Sequence, residues 1–204
     1  KPIIGVDIWL ENIKDEREPF KMLLLAQNQD GYHNILKLIS RSFVEGQILG
    51  VPIVKKAWLQ ELANGLIALS GGKDGDVGRA LLSDDFDLAQ QTLKFWQTTF
   101  PNRYYLELQR TGRAREDEYL HKALDLAAQL QCPVVATNAV RFLDKQDFEA
   151  HEARVCINSG YVLDDPNRPR LYSQQQYLRS PDEMEKLFSD IPESLINSVE
   201  IAKR

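Results

Sequence analysis

The sequence predicts an α/β fold on a parallel sheet, either an α/β barrel or a doubly wound sheet, and three observations predict it. Apolar runs such as LIAL at 66–69 and PVVAT at 133–137 are continuous rather than alternating, the texture of strands buried on both faces. Strand-like and helix-like segments alternate along the chain, as in βαβ units. Polar loops follow the apolar runs at their carboxyl ends, where α/β proteins place their sites.

Each element follows from local pattern. IIGVDIWL at 3–10 reads as a strand in which Asp7 interrupts an apolar run, and KMLLLA at 21–26 reads as a second. A helix is expected over 34–43, with Ile35, Leu36, Ile39 and Phe43 on one face and Asp30-Gly31 before it. Residues 44–54 read as loop. A short helix carries Trp58, Leu59 and Leu62 and stops at Asn64-Gly65, and the strand LIAL then runs into the glycine-rich loop 70–76. The next helix spans 84–99 with the stripe Phe86, Ala89, Leu93 and Trp96. YYLEL at 104–108 is a strand with a polar exit at 109–115. Residues 116–129 make the most regular helix, lined by Leu120, Ala123, Leu124, Ala127 and Leu130. PVVAT follows, then a helix near 145–158. Strands pointing one way would bring Asp7, the 70–76 loop, 109–112 and 138–141 to one edge.

After Gly160 the texture changes. Asp164-Asp165-Pro166-Asn167-Arg168-Pro169-Arg170 is a proline-broken connector. Ser180-Pro181-Asp182-Glu183 then combines a serine cap, a proline at the first position and a glutamate three on, which starts the first of two helices near 181–189 and 192–203.

Composition narrows the function classes. The 204 residues are 43% hydrophobic and 27% charged with net charge -5, enough for a sizeable core and wrong in sign for wrapping nucleic acid. The nearest thing to a basic run, Arg168, Arg170 and Arg179, is sparse. No apolar stretch approaches the ~18 residues of a membrane span. Cys132 and Cys156 read as reduced core thiols of a cytosolic protein. KPIIGVDIWL has no signal-peptide layout and no initiator methionine and reads as a strand entered mid-protein, so the chain is expected to be a fragment.

Chemistry-bearing motifs are few. SGGKDGDVG lacks the order of a phosphate-binding P-loop and reads as a tight turn at the sheet edge. His33 and His121 face away from their helices' apolar stripes. His151 sits among Asp147, Glu149 and Glu152, a possible ligand pair but more simply a helix with local polar contacts. Three scattered histidines cannot readily fill a multi-metal site, and no Ser-His-Asp or Cys-His arrangement can be placed.

KPIIGVDIWL, GYHNILKLIS, GLIALSGGKDGDVGR, RYYLELQRTG, PVVATNAVRFLDKQDFEAHE and LDDPNRPRLYSQQQYLRSPDEM together resemble one family. It is the polymerase-and-histidinol-phosphatase (PHP) domain found at the N-terminus of bacterial DNA polymerase III alpha subunits, of the gammaproteobacterial type. The resemblance covers nearly the whole chain in order. It implies a distorted (β/α)7 barrel related to the TIM barrel, lacking here its N-terminal strands, over 1–180. Residues 181–204 would be a helical connector toward the polymerase core.

The resemblance also lets metal-ligand positions be compared. Active members of the family bind up to three metals and can hydrolyse phosphoesters. A glutamate in the first strand is here Asp7. A cysteine or histidine after the Ser-Gly pair is Gly72. A histidine after Gln-Arg is Thr111, and an Asp-x-His after PVVATN is Ala139-Val140-Arg141. A guanidinium offers a metal no lone pair and repels a dication. The site is therefore expected to be degenerate, with no catalytic residue and no cofactor, and Arg141 is expected to pair with Asp7 or Asp76. The implied role is that of a scaffold in a cytoplasmic replicative polymerase, a nucleotidyltransferase. It would contact the polymerase core of the same chain, dock a proofreading exonuclease subunit, and meet DNA through the holoenzyme, with no membrane. The alternative is a phosphoesterase, a pyrophosphatase or 3'-5' exonuclease, using Mg, Mn or Zn.

Overall fold

The structure is a computed structural model that describes residues 2–204. Seven strands form one sheet in the order β3-β4-β1-β2-β5-β6-β7. In chain order they are β1 (Gly5–Leu10), β2 (Phe20–Ala26), β3 (Gln47–Ile48), β4 (Val51–Val54), β5 (Leu66–Leu69), β6 (Tyr104–Gln109) and β7 (Val134–Thr137). The helices are α1 (Gln29–Glu45), α2 (Lys56–Leu62), α3 (Asp76–Leu82), α4 (Phe86–Thr99), α5 (Glu116–Leu130), α6 (Phe148–Ser159), α7 (Pro181–Leu187) and α8 (Pro192–Lys203). None is long and apolar enough to cross a membrane among the described residues.

The sheet is mixed, which corrects the all-parallel expectation. β5, β6 and β7 run parallel, as do β1 and β4, but β2 is antiparallel to both β1 and β5. Only Glu11 to Pro19 join β1 to β2, and a parallel crossover needs about a dozen residues or more. β2 therefore presents its amino end, with Lys21, where its neighbours present carboxyl ends. β3 and β7 each pair on one side only, so the described strands form an open sheet.

Helices α1 to α5 all contribute to the main core on one face of the sheet. Ile8, Leu10, Met22, Leu24, Ala68, Leu106 and Ala136 point to that face. The other face carries a smaller cluster of Ile67, Leu69, Tyr105 and Val135, covered by Ile201 of α8. Asn197 of α8 donates to the Val134 carbonyl at 2.8 Å and blunts the free edge of β7.

Several local expectations change. Residues 44–54 hold the β3–β4 hairpin, whose turn residues Leu49 (φ 52°) and Gly50 (φ 81°) both take positive φ, as a two-residue primed turn requires. α1 begins at Gln29, capped by the Asn28 side chain, and buries Gly31, Ile35, Leu38 and Ser42. Leu36 and Phe43 are exposed at 43% and 55% instead, because Gly31 crosses the Gly65 backbone so closely that a Cβ would clash. The glycine-rich loop is shorter than expected, a single 3-10 turn at Gly72–Asp74 before α3. On α4, Phe86 is likewise exposed while Ala89, Leu93 and Trp96 are buried.

Trp96 anchors the helical layer. It is fully buried, stacks near-parallel on Tyr104 at 6.1 Å, and its Nε1–H donates to both oxygens of Asp76 at 3.0 and 3.1 Å. Lys56 Nζ donates to the same carboxylate at 2.6 Å. Trp96→Ala is expected to cost ~3 to 5 kcal/mol in urea unfolding, and Trp96→Phe less; a loss under ~1 kcal/mol for the alanine variant would contradict this role.

Candidate functional site: a cation-filled sheet mouth

The site grows from alternation along β6. YYLELQ places Tyr105, Glu107 and Gln109 on the face away from the five helices, beside Thr137 of β7 and Asp7 of β1. These side chains open into a cavity of about 210 Å3 lined by Asp7, Lys21, Asp74, Glu107, Arg113 and Arg141, with Ala139 at its rim. Gly71 supplies the turn that brings Asp74 in: its φ is 75°, and a Cβ there would strike the Lys21 carbonyl.

One guanidinium organises these groups. Arg113 Nη1 donates to Asp74 at 3.2 Å, Nη2 to Gln109 Oε1 at 2.7 Å, and Nε to Glu116 at 2.9 Å and to Thr111 Oγ1 at 3.1 Å. Gln109 passes the contact on, donating from Nε2 to Glu107 at 2.9 Å. Thr137 also donates its hydroxyl to Glu107. Lys21 stands 3.5 Å and Lys73 3.7 Å from Asp74. Burial raises the Asp74 carboxyl, but Lys21, Lys73 and Arg113 outweigh it and hold the group below the usual carboxylate range. Glu107 goes the other way. Burial lifts its carboxyl, the hydrogen bonds from Thr137 and Gln109 pull it partly back, and the charge of Asp7 adds to the rise.

Three of the five compared positions, Asp7, Ala139 and Arg141, line the mouth. Gly72 faces it, with the Gln109 side chain 3.7 Å from where its Cβ would be. Thr111 is buried and turned away, donating its backbone N–H to Glu116 at 2.7 Å, and reaches the mouth only through Arg113. The expected ion pair of Arg141 is corrected. Asp76 lies on the helical side with Lys56 and Trp96, and among the described residues no carboxylate comes within 4.0 Å of Arg141. Its backbone is fixed by Arg141 N–H donating to the Gln176 carbonyl at 2.7 Å, and its guanidinium lies 5.7 Å from the centre of the Tyr172 ring.

The counter-charges come instead from Lys21 and Arg113. No sequence signal marked Arg113. Lys21 was hidden by the assumed direction of β2, whereas Glu107 could have been found as an acid inside an apolar strand run. The histidines stand elsewhere: His33 and His121 are exposed, and His151 is buried on α6 between Phe142 and Tyr172. Its neighbour Glu152 pairs with Arg168 at 2.5 Å, while the buried His151 Nδ1 has no hydrogen-bond partner among the described residues.

The PHP domain family matches residues 1–111. The chain belongs to the PHP domain family. Over its whole length it is also similar to DNA polymerase III subunit alpha of Pseudomonas aeruginosa (52% identical) and of Vibrio cholerae (54% identical). The same protein of Escherichia coli is 52% identical. The chain spans 17 to 18% of the length of these relatives.

Among the described residues no three His, Cys, Asp or Glu side chains converge on one point. Of the mouth's carboxylates, Asp74 is engaged by cations, and Glu107 is biased toward its protonated form. No imidazole reaches it.

Two measurements check this electrostatic picture. Because the fold favours protonated Glu107, its contribution to stability is full below the ordinary carboxyl range and is lost as pH rises through the raised value. Glu107→Gln is therefore expected to gain thermal stability relative to the parent as pH rises above the ordinary carboxyl range, and a difference that does not change with pH would refute the assignment. Arg113→Ala leaves Glu116 buried beside a polar backbone without its counter-ion, and is expected to cost ~3 to 5 kcal/mol in denaturant unfolding; a neutral effect would show the network to be dispensable.

Proposed function

We propose that this PHP domain is part of a replicative DNA polymerase III alpha subunit, where it serves as a structural scaffold and not as a phosphoesterase. The observation that carries the reading is the make-up of the mouth: no three metal-ligating side chains converge among the described residues, and its Asp74 carboxylate is met by the Arg113 guanidinium and the Lys21 ammonium. Such cations can neutralise charge but cannot lower the pKa of a bound water as a Lewis acid does. The similarity to alpha subunits over the full chain supports the replicative, cytoplasmic context.

In this reading the sheet belongs to a distorted (β/α)7 barrel, and residues 181–204 lead toward the polymerase core. The segment that joins these two helices is already seated: Phe188 is fully buried in the main core, and Arg110 grips Asp190 with two bonds of 2.6 and 2.7 Å. The body also docks a separate proofreading exonuclease. Leu36, Phe43 and Val44, exposed along α1, support a protein contact on that side. No resident cofactor is proposed.

The test is metal content and phosphoester hydrolysis in the full-length protein purified without added metal. Substoichiometric zinc and manganese and no turnover of a generic phosphomonoester are expected. Tightly held metal together with turnover abolished by Asp7→Ala would replace the scaffold by the phosphoesterase alternative.

A further inference from the structure

Beside the mouth a second cavity of about 530 Å3 opens toward solvent, within the ~300 to 1,000 Å3 that small-molecule sites occupy. Four cations line it, Lys21, Lys73, Arg113 and Arg141, against the two carboxylates Asp7 and Asp74. That is an excess of two positive charges in a chain whose net charge is -5. A recess of one sign concentrates ions of the other.

The cations differ in what they can still do. Arg113 is committed to Asp74, Gln109, Glu116 and Thr111 and acts as a fixed charge. Lys21 and Lys73 hold Asp74 only at 3.5 and 3.7 Å, long enough to turn toward a better acceptor. Arg141 has no side-chain hydrogen bond and no carboxylate partner among the described residues, so its planar fork of donors is free.

Two aromatic rings stand among these cations. Trp9 is 38% exposed, whereas Trp58 and Trp96, the other two tryptophans, are buried. Lys21 Nζ lies 5.6 Å from the centre of the Trp9 ring, as Arg141 does from Tyr172 at 5.7 Å. Tyr172 and Leu171 line the same cavity as the strand residues Asp7, Ile8, Trp9 and Lys21. Aromatic faces beside free phosphate donors suit a ligand with a planar base and a dianionic phosphate.

We propose that this cavity binds a free mononucleotide without a metal, its phosphate on Arg141, Lys21 and Lys73 and its base against Trp9 or Tyr172. This goes beyond the scaffold role, since it asks for binding with no bond broken.

The test is photolabelling of the full-length protein with 8-azidoadenosine 5'-monophosphate in excess EDTA, followed by peptide mapping. Label is expected in the peptide carrying Trp9 or the one carrying Tyr172. AMP should displace it, and adenosine or inorganic phosphate at equal concentration should displace it far less. Arg141→Glu, a surface change, is expected to cut that label ~10-fold with the melting midpoint unchanged. Exposed Lys145→Glu should leave it intact. Label found only elsewhere, label indifferent to Arg141→Glu, or phosphate competing as well as AMP would overturn the proposal. Release of adenosine from AMP when EDTA is replaced by metal would count against the scaffold role and leave the binding site supported.

Discussion

Acids gathered at the edge of a sheet need a positive charge among them, and in this protein Arg113 supplies it. Its guanidinium reaches Asp74, Gln109, Glu116 and Thr111 at once, from a position with only 13% of its side chain exposed. Removing charges from water is costly unless each finds a partner. A divalent ion would meet that requirement at a single point and would also activate water. A planar cation meets it along a fork of fixed directions and activates nothing. Asp74, Gln109 and Glu116 are tied together through this one group.

The rest of the architecture delivers partners to that group. The short β1–β2 connection reverses β2, and the reversal carries Lys21 to the same edge. The polar turn after β5 then separates two acids two residues apart. Asp74 faces the mouth, while Asp76 starts α3 and is held behind the sheet by Lys56 and Trp96. The exit of β7 is fastened independently: Asn138 Nδ2 donates to the Tyr177 carbonyl at 2.6 Å, and Gln176 Nε2 donates to that of Ala139 at 3.2 Å. Ala139 accepts a φ of 42° in return, a conformation few non-glycine residues adopt. Arg141 is thereby held at the outer lip, away from the buried acids.

Much of this was legible residue by residue. The Ser180 capping box forms as its letters imply, with the Glu183 carboxylate accepting from the Ser180 N–H at 2.8 Å. The strands at 66–69 and 134–137 and the long helices at 86–99 and 116–130 lie where periodicity puts them. Where periodicity failed, contact geometry had intervened. The approach of Gly31 to Gly65 turned α1 off its apolar stripe, and the primed turn at Leu49-Gly50 made a hairpin of a stretch punctuated like a loop. Within the site, the residues standing at the five compared positions were readable because side-chain identity is a fact of sequence. The replacement cations were not.

The sequence by itself determined most of the strands and helices, though not the β3–β4 hairpin or α3, and the identities of the side chains at the compared positions, since both depend on side-chain identity and short-range spacing. Which cation meets which acid was decided only by the tertiary structure. Lys21 and Arg113 lie 53 and 39 residues from Asp74, and their meeting depends on strand direction and on where each loop turns. No local rule specifies either, because a charge pairs with what the fold brings within a few ångströms and not with what stands near it in the chain.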